Sequence, residues 1–162
     1  MQAARTGIGY DSHRFAVGGP LRLGGIDIPA DVHCTGHSDA DAVCHALTDA
    51  ILGAAGAGDI GEMFPDSDEA NAGRDSIEML RLAVERLQHT GWRVAQCDLT
   101  VICERPKIAP YREAMRDRLA KALGVLSGHV SVKGKTNEGM GFTGRGEGLA
   151  VIAVATITPR SS

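Results

Sequence analysis

The sequence predicts an α+β fold, a two-layer sandwich with helices on one face of a mixed β-sheet. Three observations carry the prediction. Alternating and 3.6-residue-periodic segments follow one another in the order β, β, α, α, β, α, β, β. The stretch Leu149 to Ile157 is apolar on both faces, as a central strand is. The 162 residues, 43% hydrophobic and 23% charged with few aromatics, have the composition of a single globular domain. A chain of this length can bury about 70% of its unfolded surface without a disulfide or a structural metal. The expected unit is therefore 1–162, with Pro159 to Ser162 as a short polar tail.

Arg5 to Asp11 and Leu21 to Ile28 read as short strands separated by the Gly18-Gly19-Pro20 turn. Ser38 to Ala55 reads as a helix. Ser38 suits the N-cap, and Ala40, Val43, Leu47, Ala50, Ile51 and Ala54 form one apolar stripe. Gly56 to Gly73, rich in glycine and acidic residues, reads as a long connection without regular structure, and so as a functional loop. A second helix starts near Ser76, where Asp75 and Glu78 fit a capping box. Its buried face is Ile77, Leu80, Val84 and Leu87, and Gly91 ends it. Val94 to Glu104 alternates Cys97, Leu99, Val101 and Cys103 on one side, as a half-buried strand does. Pro110 opens a third helix with Tyr111, Met115, Leu119 and Ala122 inward and Gly124 as its stop. His129 to Lys135 is a strand by its Val130/Val132 alternation.

Charge and cysteine content narrow the function. Seventeen Lys+Arg against 20 Asp+Glu give a net charge of −3, and no basic run exists to bind nucleic acid or an anionic membrane. No apolar stretch approaches the ~20 residues of a membrane span, and the first residues carry no signal or transit character. The expected location is the cytoplasm. Cys34, Cys44, Cys97 and Cys103 form no C-x-x-C pair and are expected as reduced, half-buried thiols.

The densest set of metal-ligand types lies between positions 13 and 45, where four of the six histidines are interleaved with aspartates. If a strand continues through Asp11-Ser12-His13, both flanking side chains leave the same face, with Ser12 on the other. His45 lies opposite the apolar stripe of its helix, with Asp41 and Asp49 four residues to either side to orient its ring. Asp11, His13 and His45 would hold a zinc ion with one open position. The alternative is a turn-closing Asp-x-His and a solvated helix histidine. Gly134 to Gly148 holds a second group. Its Gly134-Lys135-Thr136 resembles the end of a P-loop, but His129 stands where that motif needs glycine, so an NTPase is rejected. Glu138 offers a hard oxygen for Mg²⁺, with Lys135 and Arg145 to offset phosphate charge; a plain glycine-rich hairpin is the alternative. Asp59 and Asp66 could hold polyol hydroxyls, or Asp66 and Asp68 serve only the turn.

Taken in order, Asp11-Ser12-His13, the run His37-Ser38-Asp39-Ala40-Asp41, His45 to Ala50, Gly58-Asp59-Ile60-Gly61, Phe64 to Asp68, Arg105-Pro106-Lys107, Lys135 to Glu138 and Gly141 to Gly148 match one family in order and spacing. The chain resembles the 2-C-methyl-D-erythritol 2,4-cyclodiphosphate synthases from about Thr6 to Ile157. The resemblance implies a cytoplasmic homotrimeric lyase of the non-mevalonate isoprenoid pathway. It would convert 4-diphosphocytidyl-2-C-methyl-D-erythritol 2-phosphate into the 2,4-cyclodiphosphate and CMP. By motif, Asp11, His13 and His45 resemble the ligands of zinc or another divalent cation, and Glu138 the ligand of Mg²⁺ or Mn²⁺. His37 and Thr136 resemble the groups that position phosphate, with Ser38 beside them. Asp59, Ile60, Gly61, Phe64 and Asp66 fall where the methylerythritol moiety binds. Cys103, Pro106, Lys107, Ile108 and Ala109, with Gly134 and Lys135, fall where cytidine binds. Phe142 and Arg145 would lie near the trimer axis, whose cavity could take an isoprenoid diphosphate. Two other functions fit the same residues: a zinc phosphohydrolase, and a non-catalytic trimer that binds isoprenoid diphosphates.

Overall fold

A computed structural model of the chain describes residues 3–160, so Met1, Gln2 and the Ser161-Ser162 end of the expected unit lie outside the described residues. Seven strands and five helices run in the order β1 (Arg5–Val17), β2 (Leu21–Leu23), β3 (Ile26–Ile28), β4 (Val32–Cys34), α1 (Ala42–Ala55), α2 (Ile60–Met63), α3 (Ser76–His89), β5 (Trp92–Ile102), α4 (Arg112–Leu123), β6 (Val130–Lys135), α5 (Gly141–Gly144) and β7 (Gly148–Pro159). Five strands form a mixed sheet in the order β4-β1-β7-β5-β6, with β5 and β6 parallel and the other pairs antiparallel. Helix α1 packs on β1 and β7, α3 on α1 and β5, and α4 on α3 and β6. This is the expected α+β sandwich.

The core lies between those layers. From the sheet it takes the same-face series Leu149, Val151, Ala153, Ala155 and Ile157 of β7 and Cys97, Leu99 and Val101 of β5. The helices contribute Leu47 and Ile51 of α1, Leu80 of α3, and Met115 and Leu119 of α4. Strand β7 is central, as its composition predicts, but only one of its apolar faces is covered. On the other face Ile152 and Val154, with Ile8 and Tyr10 of β1, are exposed; Ile8 retains 70% of its surface.

Several boundaries differ from the sequence expectation. The expected strand Leu21 to Ile28 is a hairpin, because Gly24 and Gly25 take φ of +60° and +75° and turn the chain back. Helix α1 starts at Ala42 and not at Ser38; its N-cap is Asp41, whose side chain accepts the Cys44 N–H. The connection from Gly56 to Gly73 is structured, with Asp59 capping α2 and Asp68 capping a 3-10 turn at Glu69–Asn71. The expected polar tail is strand as far as Pro159, and the Arg160 N–H donates to the Gly91 carbonyl at 2.9 Å.

One close approach positions the site. A Cβ on Gly7 would lie 2.1 Å from the Ala50 carbonyl oxygen, and one on Gly9 only 1.8 Å from that of Ala46. Glycine on β1 against alanine on α1 lets the two backbones touch. Gly7, Gly9, Asp11 and His13 share one strand face, so the face that seats α1 also presents Asp11 and His13 beside the helix's first turns.

Candidate functional site

Because β1 continues unbroken to Val17, Asp11 and His13 stand two residues apart on the α1 side, and His45 reaches them from α1. Asp11 Oδ2 lies 2.9 Å from His13 Nε2 and 3.1 Å from His45 Nδ1, and the two nitrogens are 3.3 Å apart. Zinc bonds of ~2.0 Å in tetrahedral geometry place neighbouring ligand atoms ~3.3 Å apart, so the three atoms span one face of such a tetrahedron. The hydrogen-bond pattern agrees. His13 Nδ1 donates to the Thr35 carbonyl at 2.8 Å, which leaves a lone pair on Nε2 of the neutral ring facing the Asp11 carboxylate. Such acceptors hold together around a cation. Without a metal that cation is a proton: burial disfavours charge on His13, but the hydrogen bond and charge of Asp11 outweigh it and raise the His13 pKa. Burial likewise works to raise the Asp11 pKa, and chiefly its hydrogen bond to His13 overcomes this and holds it at about 2.

The carboxylates expected to orient His45 are engaged elsewhere. Asp41 is fully buried and accepts backbone N–H groups from Gly24 at 2.9 Å, Gly25 at 2.7 Å and Cys44 at 3.1 Å, tying the β2–β3 turn to the start of α1. Asp49 accepts the Ile60 N–H at 2.7 Å. His45 Nε2 instead faces the hydroxyls of Ser38 at 2.9 Å and Ser76 at 2.8 Å. Ser76 lies 31 residues from His45, and periodicity within one element cannot reveal that contact.

A cavity of about 290 Å³ opens beside the three ligand candidates, lined further by His37, Ser38, Ile60, Gly61, Phe64 and Asp66. The run from His37 to Asp41 is held over it in three ways. The Gly73 N–H donates to the His37 carbonyl at 2.9 Å, the Asp39 N–H donates to the Arg74 carbonyl at 3.2 Å, and Ala40 adopts a left-handed φ of +57°. Asp59 does not line this cavity. It is exposed at the N-terminus of α2, where its Oδ1 accepts the Glu62 N–H at 2.8 Å. Asn71 and Met79, absent from the sequence expectation, do line it.

The remaining candidates gather elsewhere. Cys103, Pro106, Lys107, Ile108, Ala109, Gly134, Lys135 and Thr136 surround a separate cavity of about 120 Å³, together with Arg112, which sequence reasoning missed. Next to it Glu138 is exposed at a left-handed φ of +52°. The Glu104 carboxylate steadies that turn, its Oε1 accepting the N–H groups of Asn137 at 3.0 Å and Gly139 at 3.2 Å. Phe142 borders a hollow at Ser12 and Arg14, and Arg145 pairs with Glu147 at 3.2 Å. The four cysteines are buried, not half-buried, and unpaired. Burial pushes the thiols of Cys34 and Cys97 to about 12 and Cys103 to about 11, which makes them poor nucleophiles.

Comparison with known proteins gives one answer. A curated 2-C-methyl-D-erythritol 2,4-cyclodiphosphate synthase of Gemmatimonas aurantiaca is 70% identical over 153 residues, covering 94% of this chain and 92% of its own. A solved structure of a 2C-methyl-D-erythritol-2,4-cyclodiphosphate synthase in a CDP-bound form superposes with a TM-score of 0.88 at 38% identity, over 95% of this chain and 100% of that one. The IspF–CDP complex of Plasmodium falciparum superposes with a TM-score of 0.86 at 32% identity, over 98% and 97%. The YgbB family model matches residues 4–158, and with these relatives it establishes that the chain belongs to the YgbB family.

Proposed function

We infer that the chain is a lyase of isoprenoid biosynthesis. It converts 4-diphosphocytidyl-2-C-methyl-D-erythritol 2-phosphate into 2-C-methyl-D-erythritol 2,4-cyclodiphosphate and CMP. The observation that carries this reading is the convergence of Asp11, His13 and His45 beside a cavity, in a chain 70% identical to a synthase of that name. The phosphohydrolase and the non-catalytic trimer are not favoured by relatives so named.

The nucleophile in this reaction is the substrate's own 2-phosphate, ionised at neutral pH, so no serine, thiolate or dedicated base is required. That suits a protein whose thiols are buried. When bound, zinc at Asp11, His13 and His45 and magnesium or manganese at Glu138 supply the positive charge that a reaction between phosphate anions needs. His37, Ser38 and Thr136 donate hydrogen bonds to the phosphates. Asp66, with Ile60 and Gly61, holds the methylerythritol hydroxyls, and Asp59 contributes the carboxylate oxygen that its helix cap leaves free. Holding the substrate folded raises the effective concentration of the attacking oxygen. Cys103, Pro106 to Ala109, Gly134 and Lys135 hold cytidine.

Residues 1–162 act as one catalytic unit in this reading, located in the cytoplasm. The protein is a homotrimer in which adjacent subunits complete each active site. Two features support it: the metal-ligand and nucleotide candidates occupy separate cavities of one chain, and an apolar face of the sheet stands open. Phe142 and Arg145 then flank the axis, with an isoprenoid diphosphate as the proposed occupant. Phosphorus NMR of the product tests the activity. A cyclic diphosphate with equimolar CMP is expected; a linear phosphate would show a hydrolase, and absence of turnover with metals supplied would show a binding protein.

A further inference from the structure

We propose that Asp39 and Ser76 are positioning residues that lock His45 in its Nε2–H tautomer, keeping the Nδ1 lone pair beside Asp11 and His13 and leaving the Ser38 proton free for an anion. The proposal rests on the reading of Asp11, His13 and His45 as metal ligands and assigns a function to two residues outside that set. Asp39 stands among hydrogen-bond donors. Its Oδ2 accepts the Ser76 N–H at 3.0 Å, its Oδ1 accepts the Asp41 N–H at 3.2 Å, and the Arg22 guanidinium stands 4.0 Å away. A carboxylate among those donors only accepts. The Ser76 hydroxyl therefore donates its one proton to Asp39 Oδ1. Ser76 Oγ, 2.8 Å from His45 Nε2, has only lone pairs left to offer, so Nε2 must carry the hydrogen between them. In the neutral ring Nδ1 is then the free base, and Nδ1 is the atom 3.1 Å from Asp11 Oδ2 and 3.3 Å from His13 Nε2.

Ser38 is surrounded by donors in the same way. Its Oγ lies 2.9 Å from His45 Nε2, whose one hydrogen is shared between Ser76 and Ser38, and 3.4 Å from the Ala40 N–H, so Ser38 Oγ accepts from both neighbours. Its own proton has no acceptor there and is available to the cavity that Ser38 lines. Ser76 itself is fully buried at the first turn of α3, with a single hydroxyl orientation fixed by Asp39. His13 is set in the opposite tautomer by the Thr35 carbonyl, so the two rings present different nitrogens to one point. Partners that fix the tautomer of a metal-binding histidine typically change metal affinity 10- to 100-fold when removed.

Long-range ¹H–¹⁵N NMR of the metal-free protein at about pH 8, where an ordinary histidine is neutral, reads the tautomer of His45 directly. Wild type is expected in the Nε2–H form. Ser76→Ala, which removes one oxygen, is expected to mix the tautomers and weaken zinc binding about 10- to 100-fold in a chelator competition. Asp39→Asn, which puts an N–H where an acceptor is needed, should shift both readouts in the same direction, and Ser76→Thr should restore them. An Nδ1–H form in wild type overturns the proposal. So does an unchanged tautomer in both Ser76→Ala and Asp39→Asn, and should Ser76→Ala fail to fold, wild type and Asp39→Asn decide alone. If His45→Ala binds zinc as wild type does, the metal reading fails instead, and the tautomer measurement still judges the relay.

Discussion

The three candidate ligand atoms, 2.9 to 3.3 Å apart, would make metal and proton competitors for one point. His13 has a raised pKa in the metal-free fold, so its contribution to stability is present below its unfolded value of about 6.5 and lost as pH rises through the folded pKa. Asp11 behaves in the opposite sense, its contribution being present above about 4 and lost as pH falls towards about 2. Calorimetry with a chelator should therefore show Tm falling by a few degrees from about pH 6 to about pH 8. With zinc the trend should reverse, because proton release favours the ion. His45→Ala is expected to remove bound zinc and turnover while leaving the circular dichroism spectrum unchanged, since the ring joins the site and not the core. Metal analysis of the purified variant checks it, and a normal zinc load would refute the ligand assignment.

Glycines decide the geometry between elements. Gly9→Ala would drive a methyl into the Ala46 carbonyl and part α1 from β1, at a cost of roughly 3 kcal/mol in urea unfolding and with loss of zinc affinity. Gly53→Ala on the same helix, whose nearest contact would be an ordinary 3.9 Å, should instead stabilise by about 0.5 to 1 kcal/mol. Beyond the ends of β5 and β6, Glu104→Ala frees the Asn137 and Gly139 N–H groups and slackens the Glu138 turn. The Mg²⁺ concentration for half-maximal turnover should rise about tenfold, because losing a charged hydrogen-bond partner costs ~1.5 kcal/mol; Glu104→Gln keeps the acceptor and most of the affinity. Elements with one dominant signal were legible in the sequence: α3 from its stripe and Asp75 cap, β5 and β6 from alternation, and the end of α4 from Gly124; its expected start at Pro110 was not, because Pro110 and Tyr111 form a 3-10 turn and α4 begins at Arg112. Strand period places Asp11 and His13 on one face only if the strand runs past Asp11, where the sequence expectation ends it and where β1 in fact continues to Val17. Ser38 and Asp41 compete as caps within four residues, and only the Gly24-Gly25 turn, distant in sequence, selects Asp41. The Asp39–Ser76 contact spans 37 residues and depends on how the segment before α1 meets the start of α3, which no local pattern encodes.

At the scale of the molecule, the open face of Ile8, Tyr10, Ile152 and Val154 belongs in the trimer interface proposed above. Light scattering should report three chains, and Ile8→Lys with Val154→Lys should give folded monomers without turnover. Mixing refolded Asp11→Asn with Glu138→Gln chains should restore about a quarter of the wild-type activity if those residues come from different subunits; no recovery would place them in one chain. The pairing of β1 with β7 matters before assembly begins. Thr6 and Thr156 touch across 150 residues of sequence, and β7 is the strand on which β1 and β5 both close. During synthesis at about 5 to 20 residues per second, the earlier strands wait roughly 10 to 30 s for their central neighbour to leave the ribosome. A nascent chain stalled before Gly148 should remain protease-sensitive and bind chaperones, and release of the segment through Pro159 should bring protection in a single step.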